Sequence, residues 1–137
     1  MRSMHTPIKV FIVEDSPPVR EALVALLERV DDVSIAGSTD NPRDAIAAIL
    51  KEPPDCVLLD FQLVGGTALD VMTAVRRSLP DVVFIVLTSH TGLQYRRACF
   101  NAGAAWFLDK NHEFVRIPDI VRGLHTPQRG VQSSCQH

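Results

Sequence analysis

Cys56-Val57-Leu58-Leu59-Asp60 is a run of four apolar residues closed by a carboxylate, and Pro53-Pro54 stands just before it. Four residues are too few for a helix, and apolar side chains at every position suit a strand covered on both faces. The same pattern recurs on either side. Ile8 to Val13 runs into Glu14-Asp15, Val82 to Leu87 into Thr88-Ser89, and Ala104 to Leu108 into Asp109-Lys110. Val33 to Ala36 is a further strand-like run.

Segments of helical period lie between these runs. Val19, Leu23, Leu26, Leu27 and Val30 form a stripe, with Pro17-Pro18 where a first helical turn tolerates proline. Ala45, Ile46, Ile49 and Leu50 mark a second helix, and Leu69, Met72, Val75 and Leu79 a third, stopped by Pro53 and Pro80. A fourth spans about Leu93 to Ala102, with Gly103 as a left-handed cap. Pro118 would break a helix begun at Phe114, so the last one is expected to start near Pro118. Strand and helix in alternation predict an α/β fold, a doubly wound five-stranded parallel sheet of flavodoxin-like order 2-1-3-4-5 with helices on both faces. The expected organisation is an N-terminal extension over 1–7, one domain over 8–124, and a polar tail over 125–137 that reads as frayed rather than as an output module.

Composition narrows the function classes. Hydrophobic residues make up 46% and charged residues 22% of the 137, as in an ordinary globular domain. No apolar run approaches the roughly 20 residues of a membrane span, and no h-region precedes the first strand, so a cytoplasmic protein without membrane contact is expected. A net charge of −2 provides no basic field, which argues against direct nucleic-acid binding and makes protein partners the default. Cys56, Cys99 and Cys135 are odd in number and widely spaced, as reduced thiols would be. His5, His90, His112, His125 and His137 lack metal-ligand spacing. Gly65-Gly66 lacks the fuller pattern of a phosphate loop and reads as loop flexibility.

Ligands of open α/β sheets bind outside the carboxyl ends of the strands. Parallel strands would therefore bring Glu14, Asp15, Asp60, Thr88 and Lys110 to one edge. Three carboxylates at one point repel by several kcal/mol at intermediate dielectric. Counted with Lys110 they leave two negative charges, which one divalent cation cancels; an all-oxygen donor set selects Mg2+. A carboxylate beside such a cation can act as a nucleophile toward phosphorus, with the ammonium and the hydroxyl steadying the transferred oxygens, and Asp60 is the candidate.

With these motifs in order, Val-Glu-Asp at 13 to 15, Leu-Leu-Asp-Phe-Gln-Leu at 58 to 63, Val-Leu-Thr-Ser at 86 to 89 and Phe-Leu-Asp-Lys at 107 to 110, the chain resembles the response-regulator receiver family of two-component signalling. That family includes a chemotaxis regulator without an output domain. The resemblance covers about Ile8 to Leu124, and the intervals of 28 residues from Asp60 to Thr88 and 22 from Thr88 to Lys110 agree with it. It implies phosphorylation of Asp60 by a sensor histidine kinase or phosphotransfer protein, and binding of a downstream target through the fourth helix, fifth strand and last helix. It also implies that Asp15 and Asp60 ligate Mg2+ directly, Glu14 through water, and Gln62 through its backbone carbonyl. Phe107 matches the family's switch aromatic, moving after Thr88, while Gln62, Ser89 and His90 match positions that tune access and phosphoryl lifetime.

Some positions depart from the family. Val64 and Ala68 stand where a proline and a glycine are usual, and Asn111 where a proline, often cis, follows the lysine. Other readings of single residues remain: Asp15-Ser16-Pro17 as a helix start, Lys110 as a solvated charge, Phe107 and Trp106 as core packing. Three other functions compete. A magnesium-dependent phosphatase would need an acid-base carboxylate where Gln62 stands, a constitutive interaction module would need no chemistry, and a longer protein would carry a DNA-binding domain.

Overall fold

A computed structural model describes residues 6–124, and the expected tail over 125–137 lies outside the described residues. In chain order the elements are β1 (Ile8–Val13), α1 (Pro17–Glu28), β2 (Val33–Thr39), α2 (Pro42–Lys51) and β3 (Cys56–Leu59). A short hairpin follows, β4 (Gln62–Leu63) and β5 (Gly66–Thr67), then α3 (Ala68–Ser78), β6 (Val83–Thr88), α4 (Leu93–Asn101), β7 (Ala104–Asp109) and α5 (Ile117–Gly123). The five long strands form one parallel sheet in the order β2-β1-β3-β6-β7, the expected order once the hairpin is set aside.

The continuous apolar runs reflect burial on both sides. Leu58, Ile85 and Leu108 point to a core closed by Leu23 and Leu27 of α1 and Ile117 and Val121 of α5. Leu59, Phe84 and Val86 point the other way, against Ile49 of α2, Met72 of α3 and Cys99 of α4. Each fully buried Leu or Ile contributes about 2 kcal/mol by leaving water, so the sheet is held from both faces.

Helix starts follow local chemistry. Ser16 and Asn41 cap α1 and α2, each with proline in the first turn, and Thr67 with Asp70 forms a capping box on α3. Pro118 falls in the first turn of α5, behind a single 3-10 turn over Phe114–Arg116, as the proline required.

Three expectations are corrected. β2 runs on to Thr39 rather than stopping at Ala36, because Gly37 continues the strand across a register shift opposite Phe11. A Cβ on Gly37 would lie 2.9 Å from the Phe11 ring, so glycine admits the ring and does not end the strand. Gly65-Gly66, read as loop flexibility, belongs to the β4–β5 hairpin: Val64-Gly65 forms the turn, with Gly65 at φ +84°, and Gly66 opens β5 paired with Leu63. β6 and β7 each extend one residue further than expected, through Thr88 and Asp109, and β6 starts at Val83.

Gly103 takes φ +113° between α4 and β7, and a Cβ there would collide with the Arg76 side chain. Gly103→Ala is therefore expected to cost about 1–3 kcal/mol, read from chemical denaturation at unchanged m-value.

Candidate functional site

β1 and β3 are neighbours, so their carboxyl ends deliver Glu14, Asp15 and Asp60 to one place. One carboxylate oxygen from each lies within 4.8 Å of the others; Glu14 and Asp60 are buried and Asp15 is exposed. β7 brings Lys110 across from the far side of β6, and its Nζ lies 3.2 Å from Glu14 Oε1 and 3.1 Å from Asp60 Oδ2. The four charged residues expected to meet do meet. Backbone bonds hold them: Asp60 N–H donates to the Val13 carbonyl at 2.9 Å, and Lys110 N–H to the Thr88 carbonyl at 2.9 Å. Arg20 of α1, not singled out in the sequence, donates to the Glu14 carbonyl at 2.9 Å.

Burial pushes the Glu14 carboxyl up to about 7 from its ordinary 4.5, and the nearby Asp60 charge adds to this against the pull of Lys110. Burial likewise raises Asp60, with Asp15 adding to it and Lys110 opposing. For Lys110 burial works against the ammonium, but Asp60 and Glu14 outweigh it and hold its pKa above the ordinary 10.5. Both carboxyls thus resist ionisation in the absence of a cation. A raised carboxyl pKa favours the folded state at low pH, and that advantage is lost as pH rises through the folded value. Metal-free protein is expected to lose stability between about pH 4.5 and pH 7, by up to about 3 kcal/mol from Glu14. Denaturation in chelator across that range checks it, and Glu14→Gln should flatten the slope.

Thr88 is fully buried, yet its side chain is engaged elsewhere: Oγ1 accepts the His90 N–H at 3.0 Å. Gln62 lies in β4 with an exposed side chain, paired with Thr67, and Ser89 and His90 are exposed at the end of β6. Phe107 is buried beneath Arg96, whose guanidinium carbon is 5.7 Å from the ring centroid. Trp106 is half-buried against the α1–α5 core, under Arg116.

No described peptide bond is cis, and the chain after Lys110 is held without proline. Asp109 N–H donates to Glu113 Oε1 at 2.8 Å, Asn111 N–H to Asp109 Oδ1 at 2.9 Å, and His112 Nδ1 lies 2.8 Å from Asp109 Oδ2. Arg116 extends the clip to Glu113 at 2.7 Å. Cys56 and Cys99 are free buried thiols, and burial raises both above the ordinary thiol range. His5, His125, His137 and Cys135 lie outside the described residues.

All three site carboxylates offer hard oxygen donors at a spacing one small cation can bridge, so the donor set fits Mg2+. No helix among the described residues is long and apolar enough to cross a membrane.

Comparison with known proteins agrees with this geometry. A putative transcriptional regulator of Pseudomonas aeruginosa is 34% identical over 130 residues, spanning 91% of this chain and 62% of that protein. Response regulator UvrY of Escherichia coli is 29% identical over 126 residues, 92% of this chain and 58% of its own length. The chain therefore spans about three fifths of these relatives. The signal receiver domain of the putative response regulator NarL from Mycobacterium tuberculosis superposes with TM-score 0.78 at 27% identity, covering 87% of this chain and 99% of that one. Residues 10–122 match the family described as the response regulator receiver domain. With the acidic cluster at the strand ends, Lys110 across it and the β2-β1-β3-β6-β7 sheet beneath, the chain belongs to the response-regulator receiver family of two-component systems.

Proposed function

We propose that the chain is a phospho-accepting switch whose Asp60 takes a phosphoryl group, with Mg2+, from a histidine kinase or phosphotransfer protein. The observation that carries this reading is the meeting of Glu14, Asp15 and Asp60 within 4.8 Å with Lys110 in contact. An Asp60 oxygen forms the new P–O bond as the donor's P–N bond breaks, and the departing imidazole takes a proton from water. Bound there, Mg2+ would supply charge neutralisation on the carboxylates and phosphoryl oxygens. Asp15 and Asp60 would hold it directly, Glu14 through water, and Gln62 through its backbone carbonyl. Lys110, 3.1 Å from Asp60 Oδ2, would leave the carboxylates for a phosphoryl oxygen, and Thr88 would contribute its hydroxyl. Ser89, His90 and the Gln62 side chain would control how water reaches the phosphoryl group.

On this reading catalysis is confined to the protein's own Asp60. Gln62 withholds the acid-base carboxylate that a phosphatase of separate substrates would require. Residues 8–124 act as the receiver unit in the cytoplasm, and output passes to a partner protein through α4, β7 and α5, with Phe107 as the switch aromatic. These residues make no direct nucleic-acid contact, though relatives include transcriptional regulators.

The test is incubation with a small phosphodonor and Mg2+, followed by mass spectrometry and peptide mapping. A hydroxylamine-labile phosphoryl adduct on Asp60, lost in chelator, is expected. Its absence with Mg2+ present would overturn the reading and leave the constitutive interaction module in its place.

A further inference from the structure

α4 starts without the support its neighbours have. Side chains of Ser16, Asn41 and Thr67 cap the three preceding helices, but Gly92 heads α4 with no side-chain cap and no acidic residue in the first turn. Aromatic contacts hold that turn instead. The Tyr95 ring stands edge-on to Phe61, centroids 5.1 Å apart at 77°, and 5.3 Å from the His90 ring, which is itself 6.3 Å from Phe61.

Both partners of Tyr95 are tied to the site. Phe61 follows Asp60 directly, and the His90 N–H is donated to Thr88 Oγ1 at 3.0 Å. The next residue of α4 reaches the other way: Arg96 places its guanidinium carbon 5.2 Å from the Phe100 centroid and 5.7 Å from that of Phe107. Two adjacent residues of one uncapped turn thus touch the neighbours of Asp60 and Thr88 on one side and the switch aromatic on the other.

We propose that Tyr95, clamped between Phe61 and His90, is the positioning residue that holds α4 in its resting place and makes the uncovering of Phe107 by Arg96 depend on Thr88. This rests on the reading of Asp60 as phosphoacceptor. Turning the Thr88 hydroxyl toward a phosphoryl group gives up its bond from His90, loosens the 89–91 loop, and removes one wall of the Tyr95 clamp. The uncapped first turn of α4 then shifts, and Arg96 with it. Because linkage is reciprocal, a protein whose clamp is already broken binds the activating ligand more tightly.

Beryllofluoride with Mg2+ serves as the probe, on full-length wild type, Tyr95→Ala, Tyr95→Phe and His90→Ala. In wild type, beryllofluoride should speed amide exchange over residues 92–97 about fivefold, the scale of one lost neutral hydrogen bond. Tyr95→Ala should show the fast exchange without ligand, gain nothing on binding, and bind about fivefold more tightly. Tyr95→Phe, which keeps the ring, should match wild type, and His90→Ala should move in the direction of Tyr95→Ala. A merely structural Tyr95 would lower affinity together with Tm. Unchanged or weaker binding in folded Tyr95→Ala, or in His90→Ala should Tyr95→Ala fail to fold, would overturn the clamp. If wild type itself ignores beryllofluoride, the phosphoacceptor reading falls first and takes the clamp with it.

Discussion

Asp60→Asn is expected to abolish the phosphoryl adduct and, in the same protein, to raise Tm in chelator. The two effects have one cause. Asp60 is buried at the end of β3 beside Glu14 and Asp15, and its pKa is raised first by burial. Ionised, it works against folding; on the proposed reading it is also the nucleophile toward phosphorus. An amide of the same shape keeps the packing and removes both the charge and the attacking oxygen. Adduct formation should fall to background, while Tm rises by a few degrees at neutral pH. Added Mg2+ should reverse the order of the two proteins, because only the wild-type carboxylate gains from the cation. Adduct that persists on Asp60→Asn would move the nucleophile elsewhere; a fall in Tm would mean that the Lys110 contact outweighs burial. Thermal melts and intact-mass measurements on one preparation read both arms.

Lys110→Met is expected to lose about 3 kcal/mol of stability in chelator at about pH 8, since removing one partner leaves buried charge without compensation. The side chain of Lys110 is 18% exposed, while those of Glu14 and Asp60 are 1% and 7% exposed, so solvent cannot replace the ammonium for either carboxylate. Methionine preserves most of the volume, which isolates charge from packing. The loss should shrink as pH falls below about 7, where Glu14 takes up its proton and its repulsion with Asp60 is relieved. A loss equal on both sides of that pH would mean that Lys110 acts through its methylene stem. Phosphoryl transfer should also slow, because the Lys110 ammonium, 3.1 Å from Asp60 Oδ2, would steady the transferred oxygens on the proposed reading.

Much of the fold is legible in the chain because its signals are local. Burial on both faces makes β3 and β6 read as unbroken apolar runs, and Pro17-Pro18, Pro42 and Pro118 set helix starts through a missing N–H and a restricted φ. Strand order then places the chemistry: once β1 neighbours β3 and β7 follows β6, the residues after those strands must converge. Glu14, Asp15, Asp60 and Lys110 were therefore readable as a set before any coordinates.

What escaped the sequence depends on partners far along the chain. The run of β2 past Ala36 depends on Gly37, whose missing Cβ leaves room for the Phe11 ring, and Gly65-Gly66 reads as a flexible loop until Leu63 pairs with Gly66 across the hairpin. Tertiary structure alone decided that the Thr88 hydroxyl accepts from His90, that Arg96 covers a buried Phe107, and that Tyr95 stands edge-on to the residue after Asp60. The sequence by itself determined the five strands of the main sheet and which charges meet, because periodicity and strand-end chemistry act over a few residues. Which ring lies on which, and whom a hydroxyl answers to, emerged only when helices packed on the sheet, since those contacts are chosen by shape across the core.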